Sequence, residues 1–225
     1  MKLAEIFPEL DAKALERIVS IAKSGVQEYV VARELIALSD GEAGSRAVLG
    51  MFLGGAGLAD SILYCRTKIY PLGLSNGLSH LLTAFAVLIS VFLGVRGKYM
   101  PPAAQPISIS LIREGQLAGR FAVLIVTTLE RLLLGAKPGE SGKGRMKLMA
   151  VEQSAAAMWR MLWSTVLGKF GSRQMEGIHL EQGDVIRIDG ESSSVILDGE
   201  IFTAKQGGSI VLKSTAPVPF LRLAA

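Results

Sequence analysis

An apolar run meets a two-residue turn near the end of the chain, at Val195-Ile196-Leu197-Asp198-Gly199-Glu200-Ile201-Phe202. Asp-Gly between two apolar runs is a strong local signal for a β-hairpin, because glycine readily adopts the positive φ that a tight turn requires. Two further apolar runs follow, at residues 209–213 and 219–223. The end of the chain is therefore predicted to consist of short strands joined by turns.

The same pattern extends upstream to Gly171. Short apolar runs at residues 175–180 and 185–188 are separated by Gly, Asp and Ser, and residues 107–112 and 121–126 also have strand character. Strands at this spacing favour a sandwich or barrel-like core. The regular alternation of strands and helices that would indicate a doubly wound parallel sheet is not seen in the sequence. The predicted fold class is α+β, an antiparallel β-sandwich-like domain with a few helices packed on it.

Apolar residues at helical spacing predict helices over residues 10–23, 58–69, 78–95 and 155–170. The third helix contains the apolar segment 81–93 and lies in a stretch without Asp, Glu, Lys or Arg. A membrane-spanning helix needs about 20 apolar residues, and this segment is shorter. It is therefore interpreted as a buried core helix or an interfacial helix. The alternative is a small membrane protein anchored through residues 81–93, with a β domain after it.

Composition narrows the class of partner. The chain has 225 residues, of which 50% are hydrophobic, and a formal net charge of +4. Small basic groups, such as Arg66 with Lys68 and Arg96 with Lys98, are interpreted either as solvated loops or as contacts with anionic lipid headgroups. Nucleic-acid binding is not expected, because no aromatic residues interleave with a basic strand or helix face. The sequence leaves the oligomeric state open.

Individual residues exclude further classes. Cys65 is the single cysteine, so an internal disulfide cannot form. His80 and His179 have no Cys or carboxylate at metal-ligand spacing, so no metal site is predicted from spacing. The acidic first residues do not have the pattern of a signal peptide. The protein is predicted to be cytoplasmic. If it contacts a membrane, it is expected to bind peripherally at the inner membrane face.

Taken in order, these motifs resemble the diacylglycerol kinase-like lipid kinases, the family that includes the diacylglycerol and sphingosine kinases. Gly54-Gly55-Ala56-Gly57 is similar to the glycine motif that opens the C-terminal domain of the family. The helix at 78–95 is similar to the helix that follows, and Asp198-Gly199-Glu200 to the terminal Asp-Gly-Glu. The resemblance implies a lipid kinase-like C-terminal β-rich domain over residues 30–225. It implies that residues 1–29 are the helical remnant of a nucleotide-binding domain.

The resemblance also implies a site, since ATP, Mg²⁺ and lipid meet between the two domains in this family. Asp198, Gly199 and Glu200 would then lie near the nucleotide or the metal ion. The structural alternative for Asp198 and Gly199 is a plain hairpin turn. A glycine loop of Gly54, Gly55 and Gly57 would allow the backbone to approach a phosphate or another chain closely.

Two departures from the family pattern limit the expected activity. No Gly-Gly-Asp-Gly phosphate loop occurs in the sequence. Where the family has a carboxylate proposed as general base, this chain has Lys143, and a lysine at its ordinary pKa does not accept a hydroxyl proton. The catalytic residue is therefore unknown, and neither ATP nor Mg²⁺ is expected to bind this chain alone.

The expected function is the lipid-side, C-terminal part of an ATP-dependent lipid kinase that is inactive by itself. Its expected partners are a lipid substrate or membrane surface and a separate nucleotide-binding domain. The alternative is a non-catalytic lipid- or membrane-binding regulatory module.

Overall fold

The computed structural model describes residues 12–42, 45–97, 99–111, 115–129, 144–167, 175–190, 194–204 and 208–221. Contacts divide the chain into two compact units. The smaller comprises Met1–Glu34 and Ala216–Ala225, and the larger comprises Leu35–Thr215. The domain boundary after residue 29 that the family resemblance implies stays a prediction.

The smaller unit combines a helix with a two-stranded sheet. Helix α1 spans Ala12–Ser24, as the periodicity predicts, and Gly25 follows it at φ +113°. Strand β1 (Val30–Arg33) pairs antiparallel with the last strand, β13 (Val218–Leu221). The first and last strands are therefore joined by backbone hydrogen bonds.

Among its described residues, the larger unit has three α-helices and eleven strands. The helices are α2 (Gly57–Tyr64), α3 (Asn76–Phe92) and α4 (Ala155–Val166), and a π-helical turn (Cys65–Ile69) extends α2. The strands are β2 (Ile36–Ser39), β3 (Val48–Gly50), β4 (Phe52–Gly55), β5 (Pro106–Leu111), β6 (Gly115–Thr127), β7 (Met146–Glu152), β8 (Ile178–Gly183), β9 (Val185–Asp189), β10 (Ser194–Leu197), β11 (Glu200–Thr203) and β12 (Ser209–Ser214).

Strand β6 connects two layers of antiparallel strands. Its first half pairs with β5, and its second half pairs with β4 on one side and β7 on the other. One layer has the order β11-β10-β4-β6-β7-β8, and the other has the order β6-β5-β9-β12-β2-β3. This arrangement confirms the predicted α+β class with an antiparallel, sandwich-like sheet.

The main core draws its side chains from both layers. Six of its fully buried members are Leu53, Leu124, Leu148, Ile109, Ile186 and Leu212. Side chains alternate along a strand, so the residue between two core positions faces the other way. Leu124 and Val126 belong to the main core, while Ile125 belongs to a second cluster with Ala157 and Met158 of α4. The outer face of the first layer is therefore covered by helices.

The register of β6 shifts between Phe121 and Val123, where it pairs with β7. Such a bulge interrupts the alternation of side chains at one point of a strand. Ala122 and Val123 are consecutive residues, yet both contribute to the helix-covered face of the sheet. The bulge therefore shapes the surface on which the helices pack.

The boundaries of the predicted elements shift in several places. The apolar run at residues 30–38 predicts one strand but forms two, β1 and β2. The helix predicted over 58–69 changes to a π-helical turn after Tyr64. Helix α4 begins after Ser154, whose hydroxyl accepts a hydrogen bond from the amide of Ala157 at 3.1 Å. The rest of its predicted span, from residue 168, lies outside the described residues. Among the helices described, none is long and apolar enough to cross a membrane.

Candidate functional site

An apolar cavity of about 530 Å³ lies between β6 and the helices α2, α3 and α4. Ile62 of α2, Val87 and Leu88 of α3, Ala122 of β6 and Met158 of α4 form part of its wall. Binding sites for small molecules typically occupy roughly 300–1,000 Å³. A wall composed mainly of hydrocarbon suits an alkyl chain better than a nucleotide, whose phosphates and ribose need polar partners.

A few polar side chains interrupt this apolar wall. Arg66, Tyr70 and His80 all line the cavity, and the Tyr70 hydroxyl lies 3.4 Å from Nε2 of His80. The guanidinium of Arg66 donates a hydrogen bond to the carbonyl oxygen of Gly199 at 3.0 Å. An apolar wall with a small number of polar groups is the usual composition of a site that binds and orients a ligand.

The predicted Asp-Gly hairpin is present and is tied to the cavity through Arg66. Asp198 and Gly199 connect β10 with β11 and have φ values of +46° and +95°. Leu197, the last residue of β10, pairs with Glu200, the first residue of β11. Two positive φ values in a two-residue loop match the right-handed twist of the flanking strands. The hairpin turn that the local sequence predicts is therefore formed at Asp198 and Gly199.

The carboxylate of Asp198 holds a bend of the chain in place. Its Oδ2 accepts a hydrogen bond from the amide of Met51, and its Oδ1 accepts one from the amide of Phe52, both at 2.9 Å. The Asp198 amide in turn donates to the carbonyl oxygen of Phe52 at 2.9 Å. Asp198 thus fixes the bend between β3 and β4.

The implied nucleotide or metal role of the Asp198-Gly199-Glu200 turn stays a prediction. Glu200 is exposed at the start of β11. Within the described part of the chain, no group of three His, Cys, Asp or Glu side chains could hold a metal ion. Lys143, which replaces the family's carboxylate, lies outside the described residues.

The glycines of the predicted loop lie where α2 approaches the sheet. Gly54 and Gly55 are buried in β4 between β10 and β6, and Gly57 is the first residue of α2. A Cβ on Gly57 would lie 2.7 Å from the carbonyl oxygen of Ala122, closer than real Cβ atoms come. These glycines therefore allow the helix to pack closely on β6, and a role in phosphate binding stays a prediction.

Sequence reasoning missed the cavity and the link from Arg66 to the turn. Arg66 and Gly199 are 133 positions apart, so no local spacing could have joined them. The available signal was the small basic group of Arg66 and Lys68, which supported either a solvated loop or a headgroup contact. The structure brings Arg66 to the wall of a cavity, which neither interpretation anticipated.

Asp60 is a half-buried carboxylate on the first turn of α2, beside a small recess that also includes Gln105 and Ser194. Burial raises the pKa of Asp60 above its ordinary value. The folded protein therefore binds this proton more tightly than the unfolded chain does. The contribution of this difference to the free energy of unfolding is fully present below pH 3.8 and is lost as the pH rises through the raised pKa of Asp60.

Asp60→Asn is expected to increase the free energy of unfolding at neutral pH relative to the wild type, because it removes a partly desolvated charge. The difference between the two proteins should shrink as the pH falls through the raised pKa of Asp60 towards 3.8. Urea unfolding at about pH 7 and about pH 4 measures this difference. Glu200→Gln, at an exposed carboxylate, is the control. A difference between Asp60→Asn and wild type that is independent of pH would contradict the expectation.

No family model and no curated protein matches the chain. Solved structures do match its fold at low identity. A diacylglycerol kinase from Bacillus anthracis str. Sterne is 13% identical, with 90% of this chain and 59% of that chain covered and a TM-score of 0.42. An NAD kinase from Archaeoglobus fulgidus in complex with ATP is 11% identical, with 91% and 59% covered and a TM-score of 0.42. Yeast NADH kinase complexed with NADH is 9% identical, with 94% and 49% covered and a TM-score of 0.46.

The chain thus spans between 49% and 59% of the length of these matched structures.

Proposed function

We propose that this chain is the lipid-side part of a diacylglycerol kinase-like, ATP-dependent lipid kinase, and that the cavity beneath α2, α3 and α4 receives an acyl chain of the lipid. The observation that carries the proposal is the cavity itself, with about 530 Å³ of space and a mainly hydrocarbon wall. Each buried methylene contributes about 0.8 kcal/mol, so a few methylenes suffice for measurable binding.

Arg66 gives the proposed lipid an orientation. Its side chain lines the cavity and also contacts the carbonyl oxygen of Gly199, so the hairpin that carries Glu200 adjoins the wall. A headgroup oxygen near Arg66 would gain a charge-assisted hydrogen bond. The lipid hydroxyl would then be presented beside the exposed carboxylate of Glu200.

ATP and Mg²⁺ enter this proposal through a nucleotide-binding domain. Phosphoryl transfer depends on positioning the γ-phosphate and its metal ion, and the motif for that task is absent from this sequence. In this proposal the described residues supply the acceptor side: a cavity for the acyl chain, a cation for the headgroup and a hairpin at the reaction side.

A second candidate is a non-catalytic lipid-binding module. The observation in its favour is that each carboxylate oxygen of Asp198 already accepts a hydrogen bond from a backbone amide. In that case the hairpin only stabilises the fold. Both candidates require lipid in the cavity, and they differ in whether phosphate transfer follows.

A fluorescent short-chain diacylglycerol is expected to bind the chain saturably, and Ala84→Trp is expected to weaken that binding by at least about tenfold. Ala84 lies on α3 in the wall of the cavity, so an indole there would fill space that the ligand needs. Fluorescence titration below the aggregation concentration of the probe measures the affinity.

Ala118→Trp is the matched control, because Ala118 is exposed on β6 and is not part of the cavity wall. It should leave the affinity for the probe unchanged. Absence of saturable binding to the wild type, or equal weakening in both variants, would contradict the proposed function.

A further inference from the structure

Helix α3 has an inverted distribution of polar and apolar residues. Its buried positions are Ser79, Thr83 and Ser90, whereas Leu81 and Phe85 are 66% and 61% exposed. A helix on the surface of a water-soluble domain normally shows the opposite arrangement, with apolar residues inward and polar residues outward. The inversion indicates that the outer face of α3 contacts an apolar partner as well as water.

The inward polar groups of α3 are largely satisfied within the protein. The Thr83 hydroxyl donates to the carbonyl oxygen of Ser79 at 2.8 Å, and the Ser90 hydroxyl accepts from Arg96 at 2.6 Å. Within the described residues, the Ser79 hydroxyl has no hydrogen-bond partner. Rotating the helix to bury Leu78, Leu81 and Leu82 would expose these hydroxyls, and the fold leaves these three leucines at the surface.

The exposed apolar residues of α3 form one stripe. Leu78, Leu81, Leu82 and Phe85 follow the spacing i, i+3, i+4, i+7, which places them on one face of a helix. Helix α3 contains no Asp, Glu, Lys or Arg. No charged side chain therefore interrupts this stripe, which covers the first half of the helix.

Helix α4 exposes a second stripe with the same spacing, formed by Trp159, Leu162, Trp163 and Val166. The two indole rings are stacked, with centroids 5.8 Å apart and planes inclined by 8°. Phe92 of α3 contacts Trp159 edge-on at 6.1 Å, so the two helices meet through aromatic side chains. The exposed stripes of α3 and α4 therefore lie on two helices that contact each other.

The chain segment around α3 carries charges of one sign only. Residues 61–113 contain no Asp or Glu but include Arg66, Lys68 and Arg96. The single charged residue of α4, Arg160, is paired with Glu176 at 3.0 Å. Basic side chains near an apolar surface complement the negative potential of an anionic bilayer.

We propose that the outer faces of α3 and α4 form a docking surface for an anionic lipid bilayer. Tryptophan is enriched at the membrane interface, where its apolar ring and polar N–H are both accommodated, and leucine and phenylalanine enter the acyl region. Leu162 belongs to the exposed stripe of α4 and also lines the cavity, so the surface is continuous with the cavity wall. The inference deepens the proposed function, on which it rests for the role of the cavity, by naming the bilayer as the source of the lipid.

The two tryptophans of the chain, Trp159 and Trp163, both lie on this surface, so intrinsic tryptophan fluorescence reports on it alone. Vesicles of phosphatidylcholine and phosphatidylglycerol in equal amounts should shift the emission of the full chain to shorter wavelength. Phospholipids brominated on the acyl chain should quench it. Vesicles of phosphatidylcholine alone should bind more weakly, and added salt should weaken binding to the anionic vesicles.

The double variant Leu81→Gln/Phe85→Gln should lower partitioning into the anionic vesicles by at least about tenfold. Leu49→Gln is the matched control, because Leu49 is 53% exposed on β3, the edge strand of the other layer. It should partition like the wild type. Both variants replace exposed side chains, and urea unfolding checks that their folds are intact.

Two results would overturn the docking surface. One is an emission spectrum that anionic vesicles do not change. The other is a blue shift that grows with protein concentration in the absence of lipid, which would assign the surface to a second copy of the chain. Binding of the soluble diacylglycerol probe without vesicle binding would remove this inference and leave the proposed function standing. Vesicle binding without probe binding would do the reverse.

Discussion

Gly57→Ala is expected to destabilise the larger unit by about 2–4 kcal/mol. The added Cβ would lie 2.7 Å from the carbonyl oxygen of Ala122 and 3.1 Å from its Cα. Both are backbone atoms of a central strand, so the clash cannot be relieved by rotation of a side chain. Helix α2 would have to move away from β6, which would also distort the wall of the cavity.

Equilibrium denaturation in urea measures this effect. Gly77→Ala is the matched control, because Gly77 lies in the first turn of α3 and a Cβ there would have no neighbour within 4 Å. The control should be neutral or more stable by up to about 1 kcal/mol, as expected for alanine in place of glycine in a helix. Equal stability of Gly57→Ala and wild type would show that close packing of α2 is not required.

Asp198→Ala is expected to cost about 2–3 kcal/mol, the second large effect. The substitution removes acceptors from the amides of Met51 and Phe52. It also places alanine at φ +46°, where an ordinary L residue is strained. Water can replace part of the lost hydrogen bonding because the site is exposed, so the cost stays below that of two buried charged hydrogen bonds.

Two further substitutions separate the causes. Asp198→Gly removes both hydrogen bonds but tolerates the positive φ, and Asp198→Asn keeps one carbonyl acceptor and a residue type that is common at positive φ. The expected order of stability is wild type, Asp198→Asn, Asp198→Gly, Asp198→Ala, measured by thermal and urea unfolding. If all three variants were as stable as the wild type, the carboxylate would have no structural role and a ligand-binding role would gain support.

The local features of the fold could be predicted from the sequence. Asp198-Gly199 between apolar runs gives a hairpin because its signal lies within a few residues, and the helices follow from periodicity over one segment. The division of β6 between two layers could not be predicted, because it depends on pairing with strands that are distant in sequence. Strand character was visible in residues 121–126, but their partners were not.

The site was harder to predict for the same reason. The glycines and the Asp-Gly-Glu turn were identified as motifs, yet the cavity exists only once α2, α3 and α4 cover one sheet. The apolar character of α3 was visible in the sequence, whereas the inward position of Ser79 and Thr83 was not. Serine and threonine in a helix are compatible with either face, so only the packed structure shows which way they point.

The bulge in β6 has a consequence for how related chains can differ in ligand size. Ala122 and Val123 lie at that irregularity and form the floor beneath the helices. Gaining or losing one residue there would alter the depth of the cavity while leaving the pairing on either side in step. Under the proposed function, the preferred acyl-chain length would then change through a single local change in the backbone, without repacking the sandwich.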